Sequence, residues 1–168
     1  EQPVTPSVPS RTLPSVFRET DSEFNDCPPM LPFQIKICGL TNVEDAGWAC
    51  SCGADAIGLN FYPKSKRFVD SGQAKAIVAE IDRFNQRQSV EASGQKREVS
   101  KVGVFVEMPV IELLETAKRH NLDGIQLHGD EDPSVAEEIR SGLSKNGQSS
   151  FLVRAIRSLP KDLASARE

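Results

Sequence analysis

From Phe33 onward the chain alternates short apolar runs with longer segments of helical character, and does so five times. The runs are FQIKIC, DAIGLNF, KVGVFV, DGIQLH and SFLVRAI. Each is too short to be a helix and each carries apolar residues in alternation, so each reads as a strand. Helix starts fall between them. Thr41-Asn42-Val43-Glu44 has the form of a capping box, with the Thr41 hydroxyl and the Glu44 carboxylate meeting first-turn amides. Asp70 precedes SGQAKAIVAEIDRF as an N-cap, Pro109 opens a third helix, and Asp132-Pro133 opens a fourth. The closing LPKDLASARE reads as the start of a fifth. Strict β/α alternation calls for a parallel sheet with right-handed crossovers. An eight-stranded β/α barrel and an open doubly wound sheet both satisfy it.

The alternation does not cover the whole chain. Residues 1–33 hold seven of the eleven prolines, many beside Ser or Thr. This composition predicts a disordered tail or linker, leaving 34–168 as the folded part. Asn85 to Ser100 is polar and without periodicity, which predicts a long loop inserted in that part. A net charge of −4 carries no nucleic-acid footprint. No apolar run approaches the ~18 residues of a membrane span. The four cysteines, Cys27, Cys38, Cys50 and Cys52, match no paired zinc spacing. With no secretory signal in view, reduced thiols and a cytoplasmic location are expected.

Alternation along each strand sorts side chains onto two faces. The apolar set is Ile35 and Ile37; Ile57, Leu59 and Phe61; Val102, Val104 and Val106; Ile125 and Leu127; Val153 and Ala155. These are expected to face the helices. The opposite set is Lys36 and Cys38; Gly58 and Asn60; Gly103 and Phe105; Gln126 and His128; Leu152 and Arg154. A purely structural barrel interior is bulky and aliphatic, whereas this one is polar toward the C-terminal strand ends, where β/α proteins bind ligands. Cys38, Asn60, His128 and Arg154 would converge there from four strands. The loop YPKSKR, Tyr62 to Arg67, adds positive charge suited to a carboxylate or phosphate. Each residue also has a purely structural reading: Cys38 as a small core residue, His128 as a packing residue, Lys36 as partner of a barrel carboxylate, Arg154 as a surface residue should strand five be out of register, the loop as a solvated surface. Cys50 and Cys52 read as small residues packed on a helix.

The motifs KICGLTNVEDA, GADAIGLNFYPKSKRFV, KVGVFV, DGIQLHGDE and VRAI stand in this order from Lys36 to Ile156. Together they resemble the N-(5'-phosphoribosyl)anthranilate isomerases of tryptophan biosynthesis. The resemblance implies an α/β fold, a (β/α)8 TIM barrel of which this chain supplies about five β/α units. It implies an Amadori rearrangement of phosphoribosylanthranilate to carboxyphenylamino-deoxyribulose phosphate, without cofactor or metal. Cys38 matches the family's general base. Arg67 matches an arginine that meets the anthranilate carboxylate, and His128 a histidine lining the site. Asn60 and Arg154 complete the expected substrate-binding set. A base needs the thiolate. Lys36 on the same face and the helix start at Thr41 are the positive groups within reach.

The resemblance stops after the fifth strand. The family's general acid is an aspartate at the end of strand six, and its phosphate grip lies in loops after strands seven and eight. No aspartate here matches that acid, so residues 1–168 alone are expected to be inactive, as a fragment or truncated product. The alternative is a noncatalytic half-barrel that binds a partner or a sugar phosphate. KICG together with QLHGDE argues against a relative of indole-glycerol-phosphate synthase. Expected partners are the small phosphosugar-anthranilate substrate, with no nucleic acid and no membrane, and another tryptophan-pathway enzyme by fusion or association.

Overall fold

The computed structural model describes residues 33–88 and 98–156. They form β1 (Lys36–Cys38), α1 (Val43–Ser51), β2 (Ala56–Asn60), α2 (Ser71–Arg87), β3 (Ser100–Phe105), α3 (Val110–Arg119), β4 (Gly124–Leu127), α4 (Pro133–Lys145) and β5 (Phe151–Arg154). All five strands are parallel, in the order β1-β2-β3-β4-β5. A doubly wound sheet reverses its strand order at a switch point. Sequential order without reversal is the topology of a barrel segment. Among the described residues, β1 and β5 are the open edges. The residues before 33 and the start of a fifth helix lie outside the described residues.

A recurring motif explains how neighbouring strands are aligned. Asp55 and Asp123 stand just before β2 and β4 in the similar sequences DAIGL and DGIQL. Asp55 Oδ2 accepts the backbone N–H groups of Gln34 and Ile35, at the start of β1. Asp123 Oδ2 accepts the N–H of Lys101, at the start of β3. The carbonyls of the same two aspartates accept from Ser100 and Phe151 on the following strands. Each aspartate therefore ties three consecutive strands at their N-terminal ends, satisfying backbone groups that would otherwise lie at the sheet margin unpaired.

The register corrects two of the expected faces. Residues paired across a parallel sheet point to the same side. The pairing runs Cys38–Gly58–Val102–Gly124–Phe151 and, two residues on, Asn60–Val104–Gln126–Val153. Val102, Val104 and Val153 thus share the face of Cys38, not the helix-facing side. Gly103 and Phe105 of β3, and Leu152 and Arg154 of β5, lie on the helix side with Leu59 and Ile125. Both phases of β3 and β5 are largely apolar, so alternation carries little phase information there, and a one-residue slip exchanges the faces. The helix-facing layer packs Ile57, Leu59, Phe105 and Ile125 against Ile77, Ile81, Leu113 and Ile139 from the helices. Each such fully buried side chain contributes roughly 1.5–3 kcal/mol. Lys101 also faces this side, buried, with Nζ 2.9 Å from Asp82 and 3.8 Å from Asp123.

The helix starts follow short polar caps. The cap of α1 is Asn42 rather than Thr41: its Oδ1 accepts from the Asp45 N–H at 2.8 Å. Asp70 forms the full reciprocal box with Gln73 on α2, and Asp132 caps α4 ahead of Pro133. Asn85 to Arg87 belong to α2 rather than to a loop. The Asn85 side chain bonds both the N–H and the carbonyl of Val99, so the connection is fastened on both sides of residues outside the described set. Cys50 is buried as expected, but Cys52 follows the last turn of α1 and is exposed.

His120 ends α3 and was not anticipated. It is buried and stacks on Phe61, which in turn stacks on Phe105, while its Nε2 lies 3.3 Å from Ser71 Oγ at the start of α2. Burial, and secondarily the charge of Arg119, hold its pKa below the ordinary imidazole value of 6.5. The unfolded chain therefore takes up the proton at a higher pH than the folded one. The contribution of neutral His120 is fully present above about pH 6.5 and is lost as pH falls toward its folded pKa. Thermal unfolding followed by circular dichroism between pH 7.5 and 5.5 should show a larger loss of Tm for the wild type than for His120→Gln. Equal losses would remove His120 from the acid response.

Candidate functional site

The site is at the C-terminal ends of β1 and β2 and is organised around the absence of a side chain at Gly58. A Cβ there would lie 2.7 Å from Cys38 Sγ and 2.8 Å from Lys36 Nζ. Carbon atoms do not approach that closely, so the thiol and the ammonium occupy the room that any larger residue would fill. Gly58 is paired directly with Cys38, and its carbonyl accepts the N–H of Gly39 at 3.1 Å. The Cys38 thiol is exposed and free.

Among the described residues Lys36 meets no carboxylate. Its Nζ donates to Gln126 Oε1 at 2.8 Å, across the face from β1 to β4. The other end of that amide, Nε2, lies 3.0 Å from His128 Nδ1. A continuous polar chain, Lys36–Gln126–His128, therefore crosses the face that carries Cys38. Gln126 stood on the expected polar face, but its residue type alone did not single it out. His128 is exposed at the end of β4, and its N–H bonds to the Phe105 carbonyl at 2.9 Å.

Arg67 arrives from the loop after β2. Its Nη1 is 3.4 Å from the Cys38 carbonyl. Gly39 has φ +81°, and a Cβ there would overlap the Arg67 side chain, so glycine serves both the turn and the passage of the arginine. Arg67 is exposed and is thus brought to the strand that bears the thiol.

Asn60 is placed on the expected face but has its amide engaged by the loop. Its Oδ1 accepts from the Tyr62 N–H at 2.9 Å, and its Nδ2 donates to Ser65 Oγ at 3.1 Å. Ser65 Oγ in turn accepts the Arg67 N–H at 3.1 Å. Asn60 thus braces the loop that delivers Arg67. Arg154 departs further from expectation. It lies on the helix-facing side of β5, in register with Leu127, and its Nη2 donates to the Glu131 carbonyl. The Glu131 carboxylate accepts from the N–H groups of Glu107 and Gly129, linking the loops after β3 and β4. Arg154 therefore supports that loop pair and leaves the set on the thiol face.

The opposite end of the sheet has a different character. An open cleft of about 610 Å3 there is lined by Asp82, Asn85, Lys101 and Asp123, among others. In β/α barrels that end serves stability, and here it holds the strand-aligning aspartate and the buried lysine. Among the described residues no group of three or more His, Cys, Asp and Glu side chains is placed to hold a metal. No helix among them is long and apolar enough to cross a membrane.

The bracing by Asn60 has a local signature. Asn60→Ala should destabilise the fold by about 1–3 kcal/mol, from two lost part-buried hydrogen bonds. Hydrogen exchange should accelerate at the Tyr62 and Arg67 amides while that of Val69, which bonds the Asn60 carbonyl at 2.9 Å, stays protected. Unchanged exchange at Tyr62 and Arg67 would show that the loop does not depend on Asn60.

Known proteins resemble the chain in sequence and in fold. A family model described as N-(5'-phosphoribosyl)anthranilate (PRA) isomerase matches residues 35–153. The isomerase of Pseudomonas syringae pv. tomato is 46% identical over 102 residues, covering 61% of this chain and 43% of the relative. That of Thermotoga petrophila is 38% identical over 106 residues, 63% of this chain and 45% of the relative. Among solved structures, phosphoribosyl anthranilate isomerase from Thermotoga maritima superposes with a TM-score of 0.61 at 32% identity, covering 80% of this chain and 56% of that one. A crystal structure of such an isomerase in complex with reduced 1-(o-carboxyphenylamino)-1-deoxyribulose 5-phosphate gives the same score and identity over 59% of its length. The chain spans about half the length of the curated relatives it matches.

Proposed function

The chain belongs to the N-(5'-phosphoribosyl)anthranilate isomerase family, and on that premise we propose that it supplies the base-bearing half of an isomerase of tryptophan biosynthesis. The substrate is phosphoribosylanthranilate and the reaction its Amadori rearrangement. The observation that carries this reading is the convergence of Cys38 Sγ and Lys36 Nζ over Gly58, with Arg67 laid across the end of the same strand. A nucleophilic or basic atom, a cationic neighbour and a guanidinium for a carboxylate then share one strand end, at the side of the sheet where β/α proteins bind ligands.

In the proposed mechanism Arg67 holds the anthranilate carboxylate with paired N–H donors, and His128 lines the same end. Once the ribose ring has opened to the protonated Schiff base, the Cys38 thiolate removes the C2' proton. The C2'–H electron pair forms the C1'–C2' double bond, and the iminium nitrogen takes up the displaced pair. The resulting enolamine tautomerises to the ketone. The acid that protonates the ring oxygen, and the loops that grip the phosphate, belong to strands six to eight of the family barrel. Residues 1–168 alone are accordingly proposed to turn over no substrate, since both acid help and positioning are needed.

The exposed, reduced thiols of Cys38 and Cys52 are in keeping with a reducing compartment, and we place the enzyme in the cytoplasm. The Pro-rich segment before Phe33 is proposed as the junction to, or contact with, another enzyme of the tryptophan pathway.

The test is a chimera in which residues 35–154 replace the matching segment of the Pseudomonas syringae isomerase. Loss of phosphoribosylanthranilate fluorescence follows turnover. The chimera should be active, and Cys38→Ser should lower kcat by on the order of 10²-fold or more with KM little changed. A serine variant with near-parental kcat would exclude Cys38 as the base. A folded but inactive chimera would favour the noncatalytic half-barrel.

A further inference from the structure

The polar chain on the thiol face determines where the proton of His128 sits. The ammonium of Lys36 has three donors and no acceptor. At 2.8 Å from Gln126 it must face the amide oxygen, not the amide nitrogen. That contact fixes the way round of the Gln126 amide by chemistry. Its NH2 group then points the other way, 3.0 Å from His128 Nδ1. An amide nitrogen only donates, so Nδ1 must offer its lone pair. A proton on Nδ1 would set two donors against each other. Turning the amide over would relieve that clash only by placing NH2 against the ammonium.

We propose that Gln126 is a positioning residue: held by Lys36, it keeps His128 as the neutral tautomer protonated on Nε2. The imidazole then has one N–H, on the ring nitrogen away from Gln126, and no N–H on the Gln126 side. Resting on the isomerase reading, that N–H is a donor to an oxygen of the bound anthranilate-sugar, and the tautomer is set before the ligand arrives. The arrangement links β1 to β4 through side chains rather than through the sheet, since among the described residues β1 pairs with β2 alone. It also gives the long Lys36 side chain a task separate from Cys38, although both reach the space over Gly58.

The experiment uses the 168-residue chain labelled with 15N and long-range proton–nitrogen correlation of the imidazole rings at pH 8. The chain has two histidines, and His120→Gln assigns their signals. In the wild type, His128 Nδ1 should resonate as an unprotonated, pyridine-like nitrogen and Nε2 as a protonated, pyrrole-like one. Gln126→Glu replaces the amide donor by a carboxylate that only accepts, and should shift Nδ1 to the pyrrole-like position. Lys36→Met frees the amide to turn over, and should move both nitrogens toward averaged shifts. A wild-type Nδ1 that is already protonated overturns the proposal. So does a His128 spectrum that neither variant changes. No substrate enters the measurement, so failure of the tautomer assignment and failure of the isomerase reading are separate results.

Discussion

The parallel register puts Cys38 beside Gly58, and the missing side chain there is the constraint on which the thiol face depends. β1 is three residues long and could not by itself hold two functional groups in a fixed relation. Pairing to β2 does so. It sets Cys38 level with Gly58 and Lys36 level with Ala56, so both side chains emerge over small residues. A bulky residue at 58, of the kind that fills most barrel interiors, would take the volume in which Sγ and Nζ now lie. The polar face therefore follows from small residues on β2 as much as from the polar residues themselves.

Around that gap the loops are held by side chains that do not themselves need to meet a ligand. Asn60 and Ser65 brace the loop that carries Arg67. Glu131 ties the loops after β3 and β4, with Arg154 on its carbonyl. At the other end, Asp55 and Asp123 fix the starts of β1 and β3. Stability at one end and chemistry at the other is the usual division of a β/α barrel. Here the contacts that hold the loops and strand starts can be traced to individual carboxylates and amides.

The alternation of strands and helices was legible because turn and cap residues punctuate it: Asp70, Pro109 and Asp132-Pro133 all stand at helix starts in the structure. Faces were legible on β1, β2 and β4, where polar and apolar residues alternate. They were not on β3 and β5, whose two phases are both largely apolar, and Phe105 and Val104 exchanged sides accordingly. The α1 cap was displaced by one residue because Thr41-Glu44 and Asn42-Asp45 offer the same spacing. Asn60 and Arg154 show the limit of reading residue type. Both are polar and near the right end, yet one is consumed by its own loop and the other lies on the opposite face. His120 continues the buried stripe of Leu113 and Ala117 on α3 at helical spacing, a position its polar residue type disguised, and it packs there on Phe61.

The central claim is that the space over Gly58 is the functional volume. Its most direct measurement is kcat together with thermal unfolding for Gly58→Ala in a barrel completed by a relative's remaining strands. The nearest neighbours of the new methyl are the Lys36 ammonium and the Cys38 side chain rather than backbone, so the fold should survive while those groups are displaced. A misplacement on the order of 1 Å at the reacting atom costs about 10²-fold in rate. The account predicts a loss of that order in kcat with cooperative unfolding retained. Parental turnover with alanine at position 58 would contradict it.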